Sequence, residues 1–287
     1  MRALVTLTSE ESKRLIAKAV ARMDSVQKAA KEGLIGFALC TSSGFVIQEL
    51  LGKEAVDPGG YCSGFIYSHG SCGVPPERRE KLLLLEKGQP RRLDFPAEDL
   101  TLFLDRMGED DIIVKSGNMM DPQGRVGVLL ASPDGGEAGR YLPHVLAKGI
   151  RLIVPMTLNK TVPTPLDEIM AEMGITRFRR SRVHGLCCGM MPLPGMVVTE
   201  IDACRELYGV RALPAAMNGI GSGAGAVTLV LTGGEEEVER AWREINLIKG
   251  EPPLVNYFSD CGACEDARGA PGGPRCSTRA RWKNSPG

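Results

Sequence analysis

The chain has 287 residues, of which 35 are basic and 35 acidic, with 43% apolar residues, 5% aromatic residues and 35 glycines. That charge balance removes the electrostatic case for a general nucleic-acid binder, and the composition excludes collagen, extended disorder and a coiled coil. The length allows one large domain or two small ones.

Met1 to Thr8 hold only a short apolar run, Ala3 to Leu7 broken by Thr6, too short for a signal-peptide core. No stretch approaches the ~18 apolar residues of a spanning helix. The 9 cysteines are odd in number and scattered from Cys40 to Cys276, so a reducing cytoplasm is the expected compartment.

Thr8 and Glu11 form a capping-box pattern, and Leu15, Ile16, Ala19, Val20 and Met23 then recur at helical spacing. Leu34 to Cys40 reads as a buried strand, Thr41-Ser42-Ser43-Gly44 as a small polar loop, and Phe45 to Leu51 as a helix. Residues 57–76 read as a loop-dominated excursion with one strand, Gly64 to Tyr67. The charged stretch 77–110 contains a helix from Ala97 to Arg106. Asp111 to Lys115 and Arg125 to Ala131 are strands, a glycine loop from Asp134 to Gly139 opens a helix through Lys148, and Ile150 to Pro155 is a further strand. Strands alternating with helices predict an α/β fold, a mostly parallel sheet flanked by helices, over residues 1–195.

A smaller α+β unit is expected over 196–252. It comprises a helix from Thr199 to Tyr208, strands Arg211 to Met217 and Ala226 to Thr232, and a helix from Glu235 to Lys249 with Val238, Ala241, Trp242 and Ile245 on its buried face. Residues 253–287 form a basic, cysteine-containing tail.

Thr41, Ser42, Ser43 and Gly44 lie where a strand runs into a helix. Free backbone N–H groups, hydroxyls and the helix dipole suit a phosphate or carboxylate there; an ordinary capped turn is the competing reading. Asn118 and Asp121 follow the strand Asp111 to Lys115, at the edge where open α/β sheets bind ligands. An Asx-type reverse turn is their alternative. Gly135 and Gly136 open a helix with the polarity of an anion loop, an ordinary βα connection being the competing reading, and Lys160 follows a strand end either as a point charge for phosphate or as a solvated loop lysine.

Cys261-Gly262-Ala263-Cys264 with Cys276 is the sharpest cysteine signal, a zinc or iron–sulfur knuckle whose fourth ligand would be Cys62, Cys72 or His69. His184, Cys187 and Cys188 cluster as well, but adjacent cysteines are awkward ligands for one tetrahedral ion.

The order strand, Thr-Ser-Ser-Gly, helix, then Ser116-Gly117-Asn118-Met119-Met120-Asp121 and a Gly-Gly loop, resembles the ribose-5-phosphate isomerase and CoA-transferase superfamily over residues 8–160. The resemblance implies a phosphate-bearing ligand and aligns Asn118 and Asp121 with that family's paired catalytic carboxylates. The first has lost its charge here, and no lysine occurs between Ser116 and Ala147 to match the family's lysine-glycine segment. A working ribose-5-phosphate isomerase is therefore not expected. In the CoA-transferases a glutamate carries the acyl group, and Glu137 is the one loop candidate.

The expected function is binding, with transformation left open, of a small phosphorylated metabolite or a CoA- or nucleotide-like ligand, by a homo-oligomer free of nucleic acid and membrane. The alternatives are a non-catalytic ligand sensor or scaffold, and a metal or redox protein built on the tail cysteines.

Overall fold

In the computed structural model, which describes residues 1–67, 70–74, 79–180 and 186–254, the chain opens with strand β1 (Arg2–Leu7) and helix α1 (Ser9–Arg22). The capping box forms as the sequence announces: Glu11 N–H donates to Thr8 Oγ1 at 3.2 Å, and Thr8 N–H to the Glu11 carboxylate at 2.9 Å. Leu15, Ile16 and Val20 face the core.

Next come α2 (Asp24–Glu32), β2 (Leu34–Phe37) and α3 (Thr41–Leu51). The strand is shorter than its apolar run and the helix starts four residues early. A sulfur cap is the reason. Cys40 has extended backbone and its Sγ accepts the Ser43 N–H at 3.4 Å, so Thr41 to Gly44 are the first helical turn rather than a loop.

A hairpin of β3 (Gly64–Tyr67) and β4 (Gly70–Gly73) precedes a second, β5 (Leu82–Glu86) and β6 (Gln89–Leu93). Lys87 and Gly88 turn the second hairpin with φ of 46° and 81°, the geometry a two-residue connection requires. The helix expected from Ala97 to Arg106 contracts to α4 (Thr101–Leu104). Then follow β7 (Ile112–Val114), β8 (Met119–Met120), β9 (Val126–Leu130), α5 (Gly136–Lys148) and β10 (Arg151–Pro155). The remaining elements are α6 (Leu166–Glu172), α7 (Ile175–Arg180), β11 (Gly189–Leu193), β12 (Met196–Val198), α8 (Glu200–Tyr208), β13 (Arg211–Met217), β14 (Val227–Thr232) and α9 (Glu235–Leu247).

The main sheet has the order β12-β10-β7-β2-β5-β6, its first four strands parallel and the β5–β6 hairpin antiparallel at one edge. This is the expected α/β fold. β2, β7 and β10 are almost wholly buried, which accounts for their unbroken apolar runs. α1 packs on β10, α3 and α8.

Two strands lie elsewhere than the alternation suggests. β9 leaves the parallel sheet and pairs antiparallel with β8 and β11. β1 crosses to the C-terminal α+β elements and pairs with β14, giving the order β1-β14-β13, while Met196–Val198 is an edge strand of the main sheet. Trp242 is 43% exposed and not on the buried face of α9, because Val238, Ala241 and Ile245 define that stripe and position 242 falls on its flank. No helix among the described residues is long and apolar enough to cross a membrane.

Arg14 ties the ends of this assembly together. Buried at 3% exposure, its guanidinium donates to Glu251 at 2.7 and 3.0 Å, to Glu49 at 2.9 Å and to Gln48 at 2.6 Å, and lies 4.6 Å from the Phe45 ring centroid.

The first turn of α3 is pressed against the segment 57–62. A Cβ at Gly44 would stand 2.8 Å from Pro58 Cα, a backbone atom that cannot swing aside. Gly44→Ala should therefore cost about 1–3 kcal/mol in urea unfolding; a variant as stable as wild type would contradict this packing.

Candidate functional site at the carboxyl edge of the parallel sheet

The parallel strands all deliver their carboxyl ends to one edge, where the chain must turn away and polar groups lose their sheet partners. Leu39 and Cys40 follow β2, Lys115 and Ser116 follow β7, Met156 to Lys160 follow β10, and Glu200 follows β12.

Lys115 and Glu137 form a buried ion pair of 3.0 Å, at 4% and 6% exposure. The Lys115 ammonium also donates to Leu39 O at 3.1 Å, and the Glu137 carboxylate accepts Leu39 N–H at 2.9 Å. Between them, the two charges satisfy both backbone groups of the residue before Cys40. Burial pushes the Lys115 amine down, but the Glu137 charge and hydrogen bond outweigh it and hold it above the ordinary lysine range.

Cys40 Sγ sits at the N-cap of α3, half-buried. It accepts Ser43 N–H at 3.4 Å and Ser116 N–H at 3.3 Å, and lies 3.0 Å from Ser43 Oγ, whose hydroxyl is 3.1 Å from Val114 O. In the same turn Ser42 is 3% exposed and its hydroxyl has no partner; neither the Thr41 nor the Ser42 N–H finds an acceptor among the described residues.

Lys160, in the short turn Leu158–Lys160, donates to Ser116 Oγ and Gly117 O, both at 3.0 Å, and has no carboxylate within ion-pair distance among the described residues. Burial first, and then the neighbouring Lys13 ammonium, bring its amine down to about 8. Lys13 itself is 8% exposed and lowered by burial, its nearest carboxylate being Glu10 at 3.5 Å. Glu200, fully buried at the start of α8, accepts Leu158 N–H, and burial raises its carboxyl. The edge therefore gathers three ammonium groups around one thiol and one helix N-terminus.

The residues expected from sequence fall into two groups. Thr41, Ser42, Ser43, Gly44 and Lys160 converge on this edge. Asn118 and Asp121 lie beyond it with their acceptors engaged. Asn118 Oδ1 takes Leu129 N–H at 2.9 Å. Asp121 accepts the N–H groups of Gln123, Arg125 and Leu166 at 2.9–3.1 Å and Arg125 Nε at 2.7 Å. Burial pushes the Asp121 carboxyl up, and these bonds more than reverse it, leaving it below the usual range.

Gly135 and Gly136 have φ of 79° and 57°, and the Gly136 N–H is taken by Asp134 at 3.0 Å; the turn serves to aim Glu137. Cys261, Cys264 and Cys276 lie outside the described residues, as do His69 and His184. Among the described residues no group of three metal-ligating side chains comes together. Cys40, Lys115, Glu137 as an ion-pair partner, and Lys13 were not singled out for this site. The available signal was a cysteine immediately before Thr-Ser-Ser-Gly, which is the N-cap position of a helix, and a lysine ending the adjacent apolar run.

Comparison of the chain with family models, curated proteins and solved structures finds no match.

Lys115→Met should destabilise the fold by about 3–5 kcal/mol, because it strands the buried Glu137 carboxylate; the double variant Lys115→Met/Glu137→Leu should recover much of that loss. Equal losses in the single and double variants would show the pair is not coupled. Lys160 gives a pH signature of opposite origin. Its folded amine holds a proton less tightly than the unfolded one, so the stability it confers is present above about 10.5 and lost as pH falls through about 8. Wild type should gain stability relative to Lys160→Met between pH 8 and 10.5, read by urea unfolding; a constant difference would place the amine in water.

Proposed function

We propose that the chain binds a small metabolite through a phosphate group at the N-terminus of α3. The observation that carries this reading is Ser42, a 3%-exposed residue whose hydroxyl and N–H both lack partners among the described residues. An unmet buried polar group costs ~1–3 kcal/mol, which a phosphate oxygen accepting both hydrogens relieves. Thr41 N–H adds a third donor, the dipole of an 11-residue helix adds partial positive charge, and Lys160 adds a cation that has no carboxylate within ion-pair distance among the described residues, Glu200 acting on it only from farther off. This agrees with what the resemblance to the isomerase and CoA-transferase superfamily implies about the ligand. The engagement of Asp121 by four hydrogen-bond donors supports the further reading that the chain does not isomerise ribose 5-phosphate. The half-buried Cys40 thiol at the same edge suits a reducing cytoplasm.

Inorganic phosphate should raise the melting temperature in a saturable way, by the equivalent of ~2.7 kcal/mol at a hundred times Kd. Chloride at matched ionic strength should not, and Lys160→Met should weaken the response at least about tenfold, the loss of one charge-assisted contact. Identical responses to the two salts, or an unchanged one in Lys160→Met, would move the site elsewhere.

A further inference from the structure

We infer that Cys40 is a nucleophile toward the phosphorus of a phosphate monoester bound at that site, and that the chain hydrolyses such esters through an S-phosphocysteine. The inference rests on the proposed phosphate site and adds a reaction to it.

Position carries the first part of the argument. Cys40 is the N-cap of the helix whose next two N–H groups, Thr41 and Ser42, are free. A phosphoryl group seated on those donors brings its phosphorus beside Sγ, whereas the carbon skeleton of the ligand lies at least one bond farther out. Phosphorus is therefore the electrophile within reach.

The sulfur's surroundings carry the second part. A thiol is a weak acceptor, yet Sγ faces the N–H groups of Ser43 and Ser116 at 3.4 and 3.3 Å. Ser43 Oγ completes the arrangement. Its hydroxyl points to Val114 O while the thiol proton points to it, and it turns to the sulfur when that proton leaves. Lys13, Lys115 and Lys160 all feel the Cys40 charge. A helix N-terminus with N–H donors facing the sulfur is a geometry that suits a nucleophilic cysteine. Among the other described thiols, burial pushes Cys62 up to about 11 and Cys204 up to about 12.

The steps balance without any oxidant or reductant. Cys40 reacts as the thiolate, its proton having passed to water, and Lys160 starts as the ammonium that donates to the Ser116 hydroxyl on the far side of the residue whose N–H faces Sγ. Sγ attacks phosphorus; the S–P bond forms, the P–O ester bond breaks, and the leaving alkoxide takes the proton from Lys160. Water then attacks phosphorus and gives one proton to Lys160, the S–P bond breaks, and sulfur leaves as thiolate. The sum is monoester plus water giving alcohol plus inorganic phosphate. Lys13 and Lys160 stabilise the charge on the transferring group. Lys115 and Glu137 are positioning residues that fix the backbone carrying Cys40.

The test uses the full reduced chain with p-nitrophenyl phosphate, following nitrophenolate release, and intact mass after acid quench. Wild type should turn over and show the mass of one added phosphoryl group mapped to Cys40. Cys40→Ser should lose at least about 10³-fold in kcat/KM and the adduct, while keeping the melting-temperature rise given by inorganic phosphate; Cys187→Ser should behave as wild type. If Cys40→Ser does not fold, alkylation of wild type by iodoacetamide, mapped to Cys40, should abolish turnover in parallel with modification. A phosphate-induced rise in wild type with neither turnover nor adduct would overturn the nucleophile and leave the binding site standing. No rise and no adduct would overturn both. Turnover undiminished in Cys40→Ser or in the alkylated protein would overturn the role of Cys40.

Discussion

Leu39 is the point at which the β2 ladder ends, and the buried Lys115–Glu137 pair is what meets its N–H and its carbonyl. The ends of two neighbouring strands and the start of α5 are joined through that single residue. Desolvating two charges costs several kcal/mol per ion, and only close geometry with additional hydrogen bonds repays it. Here the additional bonds go to backbone, so the ion pair fixes main chain rather than another mobile side chain. Cys40 and the first turn of α3 inherit their position from it. Apolar residues of similar size would fill the same space without holding the strand end in one place.

Beyond that pair the ammonium groups have looser carboxylate company: Glu10 lies 3.5 Å from Lys13, and Glu200 acts on Lys160 from beyond ion-pair distance. Glu137 is committed to Lys115, Glu200 is buried against the Leu158 N–H with its carboxyl raised, and Lys160 bonds only to a hydroxyl and a carbonyl. Burial lowers the amines of both Lys13 and Lys160, and the neighbouring Lys13 charge lowers Lys160 further. An anion would relieve this repulsion and the unmet donors of Ser42 together. The lowered Lys160 amine and the unmet donors of Ser42 are the two features on which the proposed phosphate site rests.

The sequence shows the α/β class and most elements clearly where local chemistry decides them. Thr8 and Glu11 cap α1, Thr199 and Asp202 cap α8 with the same reciprocal bonds, and the apolar runs at Leu34 and Ile150 become parallel strands. It is less legible where a distant partner decides. Arg2–Leu7 is a strand because β14 lies beside it, more than two hundred residues away in the chain. Val126–Leu130 has the composition of a core strand but is drawn into a separate sheet by β8 and β11. The site was half legible for the same reason. Thr41 to Gly44 and Lys160 stand out as polar residues at strand ends, whereas Lys115 looks like a strand's trailing charge until Glu137 arrives from α5. Asn118 and Asp121 mislead because a carboxylate gathering backbone N–H groups and one positioned for chemistry have the same sequence signature.

The direction of β5 sets which groups border the proposed site between β2 and β7. On the β7 side the parallel neighbour ends alongside β2, and its following residues, Lys115 and Ser116, reach the site. On the other side β5 is antiparallel, so it brings its beginning, Leu82 and Leu83, to the same edge. No strand-to-helix turn exists there to supply donors. Instead Tyr61, fully buried, donates to Phe37 O at 2.6 Å and accepts Leu83 N–H at 2.9 Å, replacing the missing rungs of the ladder. That closes the β5 side with satisfied groups and sets the segment 57–62 against α3, where Pro58 abuts Gly44. The topology of the sheet, more than any single motif, brings Cys40, Lys115 and Lys160 to one edge.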